Sequence, residues 1–166
     1  MDLELEFIIY FDLLNYKLKL NVNTCDFYFL KNGEWKLKNF SKNSSGYLIT
    51  SFSFEKNKET KILKHRLVYY AYNPDFEIFK QSRTENMIDH VDRDKSNNFI
   101  ENLRIVTNQQ NLFNQKARGY CFNKQMKKWQ AQITINKKQK FLGYFENEEE
   151  AHKAYLNAKK ILHVIN

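Results

Sequence analysis

No stretch of this 166-residue chain approaches the roughly 18 consecutive apolar residues that a membrane helix requires. The start is not basic either: Asp2, Glu4 and Glu6 stand where a secretory signal carries positive charge. Both absences argue against a membrane-bound or exported protein, and an intracellular one with no membrane partner is expected. Cysteine is scarce. Cys25 and Cys121 lie far apart and form no pair of the kind that binds zinc, so both read as reduced packing residues in a reducing compartment. Acid is missing altogether between Arg118 and Lys140, where seven basic residues are interleaved with Tyr120, Phe122 and Trp129.

What is present is enough to fold. With 42% apolar and 16% aromatic residues, the chain can bury a core as one ordinary domain or two small ones. The net charge of +8 is unevenly spread. Residues 1 to 60 carry 8 basic and 8 acidic side chains, residues 61 to 115 carry 8 and 7, and residues 116 to 166 carry 11 and 4. The surplus is therefore C-terminal, and a local basic cluster on β-type sequence points to a phosphate-binding face.

In chain order, Phe7 to Phe11 and Phe27 to Leu30 are β-type runs, the second followed by the Asn32-Gly33 turn signal. Tyr47 to Phe54 and Thr60 to Leu63 flank the charged Glu55 to Glu59, which predicts a hairpin with a loop of about five residues. His65 to Tyr72, HRLVYYAY, predicts a short helix with Leu67, Val68 and Ala71 on one stripe, stopped by Asn73 and the single proline, Pro74. Its His65 reads as a packing or phosphate-contacting residue.

The densest chemistry lies between Met87 and Asn114, MIDHVDRDKSNNFIENLRIVTNQQNLFN. Met87 to Val91 predicts one strand, Arg93 to Asn102 an irregular loop, Leu103 to Thr107 a second strand, and Asn108 to Gln115 a helix with Thr107 or Asn108 as its N-cap. An adjacent acid and imidazole, Asp89 and His90, stand at the end of the first strand, with Asn97, Asn98, Asn102 and Asn111 downstream. A carboxylate, an imidazole and neutral amides suit a hard cation and a water activated by a general base. Taken alone, Asp89, Asn97, Asn98 and Asn102 are equally readable as turn-capping residues.

DHVDRDKSNN and NLRIVT, preceded by GYLITSF and HRLV, resemble the HNH family of homing endonucleases over roughly Gly46 to Gln115. The resemblance implies a ββα-metal fold, with His90 as the general base, Asp89 and Asn111 as ligands of one divalent ion, and Asn102 as the residue that holds the loop through its backbone. Asn111 in the last position makes this the His-Asn-Asn variant. Magnesium is the expected ion, with manganese possible. Family members usually carry Gly-Asn after the second Asp, where this chain has Arg93-Asp94, so Arg93 is expected either to take a positive φ or to sit in a different loop.

Beyond Lys116, Trp129, Ala131, Ile133 and Ile135 alternate with Gln130, Gln132 and Thr134, which predicts a half-buried strand with Trp129 on the core side. Asn136-Lys137 makes a turn, and Lys138 to Phe145 returns. Asn147 caps a helix with Glu150 three residues on, and Ala151, Ala154, Tyr155, Ala158, Ile161 and Leu162 form one stripe. Three antiparallel strands backed by one helix are expected, with a polar, basic outer face.

RGY, KKWQAQI, LGYF and EEEAHKAY make Arg118 to His163 resemble the apetala/ethylene-responsive-factor DNA-binding domain. The resemblance implies a sheet that enters the major groove of double-stranded DNA, with Arg118, Lys128, Gln130, Gln132, Thr134 and Tyr144 at contacting positions. The basic cluster adds Lys124 and Lys140. Gln suits adenine edges and Lys suits phosphates. The fold class is therefore α+β: an HNH-type nuclease domain over residues 1–115, its ββα-metal core at about 87–115, and a DNA-binding domain over 116–166. The expected function is a metal-dependent, site-selective DNA endonuclease of homing type, with no obligatory protein partner evident. The alternatives are a DNA-binding regulator with an inert nuclease segment, or an RNA-binding or repair nuclease.

Overall fold

The computed structural model describes residues 7–56, 58–80 and 87–163; the acidic start at Asp2, Glu4 and Glu6 lies outside the described residues. By its contacts the chain forms two compact units, Met1–Ser82 with Ile88–Ile105 and Arg83–Met87 with Val106–Asn166. Among the described residues no helix is long and apolar enough to cross a membrane.

The first unit opens with an antiparallel sheet in the order β1 (Ile8–Leu13), β2 (Tyr16–Asn21), β3 (Asp26–Lys31), β4 (Glu34–Leu37). The runs expected as strands are β1 and β3; β2 and β4 are additional. In β2, buried Leu18 and Leu20 alternate with Lys17 and Lys19, a period of two that a half-buried strand requires. Its entry turn carries Leu14 at φ 54, a residue type that gives no turn signal. Asn32 and Gly33, at φ 53 and 81, make the β3–β4 turn with the two left-handed residues that suit a tight hairpin.

A second sheet has the order β5 (Ser41–Lys42), β6 (Leu48–Glu55), β7 (Lys58–Leu63). The five-residue loop expected over Glu55 to Glu59 is shorter, because Glu55 and Lys58 pair across the strands and their opposite charges meet. Helix α1 (Lys64–Tyr72) follows and ends where the Asn73 backbone and side-chain N–H groups both donate to the Tyr69 carbonyl. Leu67, Val68 and Ala71 face inward as expected, together with His65 and Arg66. The Arg66 guanidinium donates to the carbonyls of Ile78, Glu77 and Lys80 at 2.9, 3.0 and 2.9 Å, which fastens the segment after Pro74 to the helix.

Leu18, Leu20, Phe27, Phe52, Leu67 and Val68 are 1% exposed or less and centre the core of this unit. Cutting either Phe to Ala would cost about 3–5 kcal/mol. Leu103 joins the same core and so seats the hairpin formed by β8 (Met87–His90) and β9 (Leu103–Val106), whose connecting loop ends in a single 3-10 turn at Ile100–Asn102.

The second unit contains α2 (Asn108–Asn114), β10 (Tyr120–Asn123), β11 (Lys128–Ile135), β12 (Lys138–Phe145) and α3 (Glu148–Leu162), with the sheet order β10-β11-β12. Thr107 caps α2 reciprocally: its hydroxyl accepts from the Gln110 N–H, and the Gln110 side chain accepts from the Thr107 N–H. Asn147 caps α3 by accepting from the Glu150 N–H at 2.9 Å. Ala131, Ile133, Ala151 and Tyr155 are buried where α3 crosses the sheet. Ile161 departs from the expected stripe and is 74% exposed, because it lies roughly 80° around the helix from Ala151 at 3.6 residues per turn. Gly119, at φ +73, lies under the Tyr155 ring, and a Cβ there would come within 1.9 Å of it.

Candidate active site

The β8–β9 hairpin holds its loop by side chains rather than by a regular turn. Asn102 spans it: its Nδ2 donates to Asp92 Oδ1 (2.9 Å) and to the Asn97 carbonyl (2.8 Å), while its Oδ1 accepts from the Asp92 N–H (3.0 Å). The Val91 N–H donates to the Asn102 carbonyl at 2.9 Å. Asp92 is the hub of the network. It accepts from the Asp94 N–H and from the amides of Asn97 and Asn102, and the Asp94 N–H above all holds its carboxyl below the usual range. The Arg93 backbone takes φ 69, in the left-handed region that favours glycine, and its N–H donates to the His90 carbonyl.

Asp89 and His90 are buried, 7% and 4% exposed. Successive strand residues point to opposite faces, and their partners differ accordingly. Asp89 Oδ2 accepts from Arg104 Nε and Nη2 at 3.0 and 2.8 Å, so a cation reaching over from β9 orients the carboxylate. His90 packs edge-on against His65, with centroids 5.1 Å apart and planes at 86°, and lies 6.0 Å from the Tyr47 ring. Its Nε2 is 3.3 Å from Asn98 Oδ1. Burial, with His90 and Arg66 nearby, pushes the pKa of His65 down to about 3, and His65 Nδ1 has no hydrogen-bond partner among the described residues. His65 is thus a neutral packing group. Burial and the Asp89 charge push the Tyr47 hydroxyl up.

Sequence reasoning missed Tyr47, Arg104 and the specific contact of Asn98. Strand register could have found Arg104, since β9 returns beside β8. Nothing in the spacing marks Tyr47, which comes from the loop before β6. Asn111 lies on α2 and is part of the second unit.

Among the described residues no group of three His, Cys, Asp or Glu is placed to hold a metal. An ion held here would rest on the Asp89 carboxylate with amide, water and phosphate oxygens. That sparse, oxygen-rich set fits a hard cation such as magnesium and does not fit zinc.

The sheet of the second unit places most of the expected DNA contacts on one face. Lys128, Gln130, Gln132 and Thr134 alternate outward along β11, and Tyr144 stands opposite Gln130 on β12. Gln130 joins Asn123 and Gln132 in a chain of amide contacts at 3.3 and 3.4 Å. Lys128 is paired with Glu146 at 2.6 Å. Arg118 is exposed just before β10, and Lys124 is exposed in the β10–β11 turn. Lys140 is the exception. The register slips between Ala131 and Gln132, so Gln132 pairs with Phe141 and Ile133 with Lys140. This bulge turns Lys140 to the side of the sheet opposite Gln132 and brings Phe141, 53% exposed, beside Tyr144. The outer face is therefore polar and aromatic, with its basic residues gathered toward the turns. Trp129 lies on the core side, edge-on to Tyr120 and Phe122.

Residues 63–112 match a family model, HNH_3, described as HNH endonuclease. This segment is similar to HNH endonuclease domains. The match begins at the end of β7 and takes in α1, the β8–β9 hairpin and most of α2. A solved structure described as DNA binding and cleavage by the HNH homing endonuclease I-HmuI is similar at 28% identity with a TM-score of 0.48, over 66% of this chain. The alignment covers 59% of that protein's chain. The curated proteins contain no match.

Proposed function

We propose that the protein is a metal-dependent DNA endonuclease of homing type, with cutting assigned to the HNH hairpin and DNA docking to the C-terminal sheet. The observation that carries the reading is His90 at the end of β8, next to an oriented Asp89, within the segment that matches the HNH endonuclease family. His90 acts as general base and takes a proton from the attacking water, a role that contributes about 10² to 10⁴ in rate. Asp89 is a ligand of one divalent ion, and Asn111 is given the same role by its place in the motif. When bound, that ion offsets charge on the scissile phosphate. Asn102 keeps the loop in shape so that His90 and Asp89 hold their directions.

Residues 116–166 of the second unit, with three strands and one helix, are read as an apetala/ethylene-responsive-factor type module whose role is to bind duplex DNA. Gln130 and Gln132 are the base-reading residues, with Thr134 and Tyr144 beside them. Arg118, Lys124 and Lys128 contact phosphates, and Lys140 supplies charge from the other face. Joining the two functions in one chain raises the effective concentration of phosphodiester at the nuclease site. The decisive test is a plasmid-nicking assay with magnesium and with chelator. Nicked product with magnesium and none with chelator is expected; binding without nicking under any divalent metal would leave a DNA-binding protein whose HNH segment is inert.

A further inference from the structure

Phe141 is a large apolar side chain held 53% exposed on the outer face of the C-terminal sheet. Its place there follows from the slip after Ala131, since Gln132 pairs with Phe141 while Gln130 pairs with Tyr144. Cross-strand partners share a face, and residues three apart in a regular strand do not. The extra residue, Leu142, lets the Phe141 and Tyr144 rings meet on one side, 5.0 Å apart and inclined at 61°. Three amides lie alongside them. Asn123 Nδ2 is 3.3 Å from Gln130 Oε1 and 3.5 Å from the Tyr144 hydroxyl, and Gln130 Nε2 is 3.4 Å from Gln132 Oε1.

What the face lacks narrows what it can recognise. Strands β10, β11 and β12 contain no Arg, Asp or Glu. Lys128 is paired with Glu146, and Lys138 and Lys140 stand opposite Ile135 and Ile133, on the other side from Gln132. Guanine is matched by Arg or Lys and the cytosine amino group by Asp or Glu, so the middle of the face is equipped for neither. An amide matches the N6 and N7 edge of adenine, and an apolar ring matches the C5 methyl group of its thymine partner, both in the major groove. Gln132 and Phe141, paired across β11 and β12, present those two groups side by side.

We propose that Phe141 is a specificity-determining residue that packs on a thymine methyl group, so that together with Gln132 it selects an A·T pair. The proposal rests on the sheet docking on duplex DNA, and the two can fail separately.

The test is binding of the full chain, in chelator so that no strand is cut, to three duplexes: alternating dA-dT, the same sequence with deoxyuridine in place of thymidine, and alternating dG-dC. Deoxyuridine removes the methyl group and keeps the adenine edge. The unaltered protein should bind dA-dT about tenfold more tightly than dG-dC, and about fourfold more tightly than the deoxyuridine duplex, the worth of one buried methyl group. Phe141→Ala and Phe141→Gln, two changes at an exposed position, should each bring the thymidine-to-deoxyuridine ratio to about one. Equal affinity for those two duplexes in the unaltered protein, a ratio that survives either substitution, or no preference over dG-dC overturns the proposal and leaves duplex docking standing. Binding to none of the three would sink docking by the sheet, and the proposal with it.

Discussion

The β8–β9 hairpin and the C-terminal sheet use the same residue types to opposite ends. In the hairpin, Asn102, Asn98 and Asp92 spend their hydrogen bonds on one another and on the backbone, and Asp89, His90, Asn98 and Asn102 are buried. In the sheet, Gln130, Gln132 and Thr134 stand on an accessible face with only long amide contacts between them. A polar group locked from several sides has one direction, which suits moving a proton at a fixed atom. A polar group with a loose partner can exchange it for a base edge. Under the function proposed above, the contrast separates cutting from holding.

The largest expected effect breaks the two apart. His90→Ala should lower nicking by about 10² to 10⁴ and leave the dissociation constant for duplex DNA unchanged in a gel-shift titration; a variant that nicks at the normal rate would remove His90 as base. Gly119→Ala acts on the other side. Its methyl group would enter the Tyr155 ring at a left-handed φ, so a loss of about 2–4 kcal/mol in denaturant unfolding is expected, with DNA affinity failing before the hairpin does.

Acid should find the first unit. The folded pKa of His65 is about 3, below its ordinary value of about 6.5, so the unfolded chain binds the extra proton first. Stability is thus intact above about pH 6.5 and falls as pH drops toward 3, by at most about 1.4 kcal/mol per pH unit from this group. His65→Leu should flatten that part of the profile, and an unchanged slope would show that His65 is not responsible. The smallest effect sharpens the comparison from the sheet side: Gln132→Ala should weaken binding to a preferred site by about 1–2 kcal/mol and spare binding to random DNA. Equal losses on both would make Gln132 a backbone contact.

Much of this was legible before any coordinates. Periodicity placed α1, the β8–β9 hairpin, α2 with its Thr107 cap and the whole of β11 to α3, because each has a capping residue, a turn pair or an apolar stripe of its own. β2 escaped because its entry turn sets Leu14, which gives no turn signal, beside a lone Asn15, and β4 because it is only four residues long. In the site, Asp89, His90 and Asn102 could be singled out by type and spacing. Tyr47, Arg104 and the contact of Asn98 with His90 could not, since each depends on distant segments meeting, and spacing along one segment carries no record of that. Arg93 was expected either to take a positive φ or to sit in a different loop, and it takes φ 69.

The slip between Ala131 and Gln132 makes strand β12 behave like a text with one letter inserted. Every side chain from Phe141 back to Lys138 is assigned to a face by that single extra residue. Straightening the strand with Leu142 kept in the ladder would shift the frame, setting Leu142 opposite Gln132, Phe141 opposite Ile133 and Lys140 opposite Thr134. A one-residue slip of register thus rewrites the chemistry that the sheet presents without changing any residue that β11 contributes.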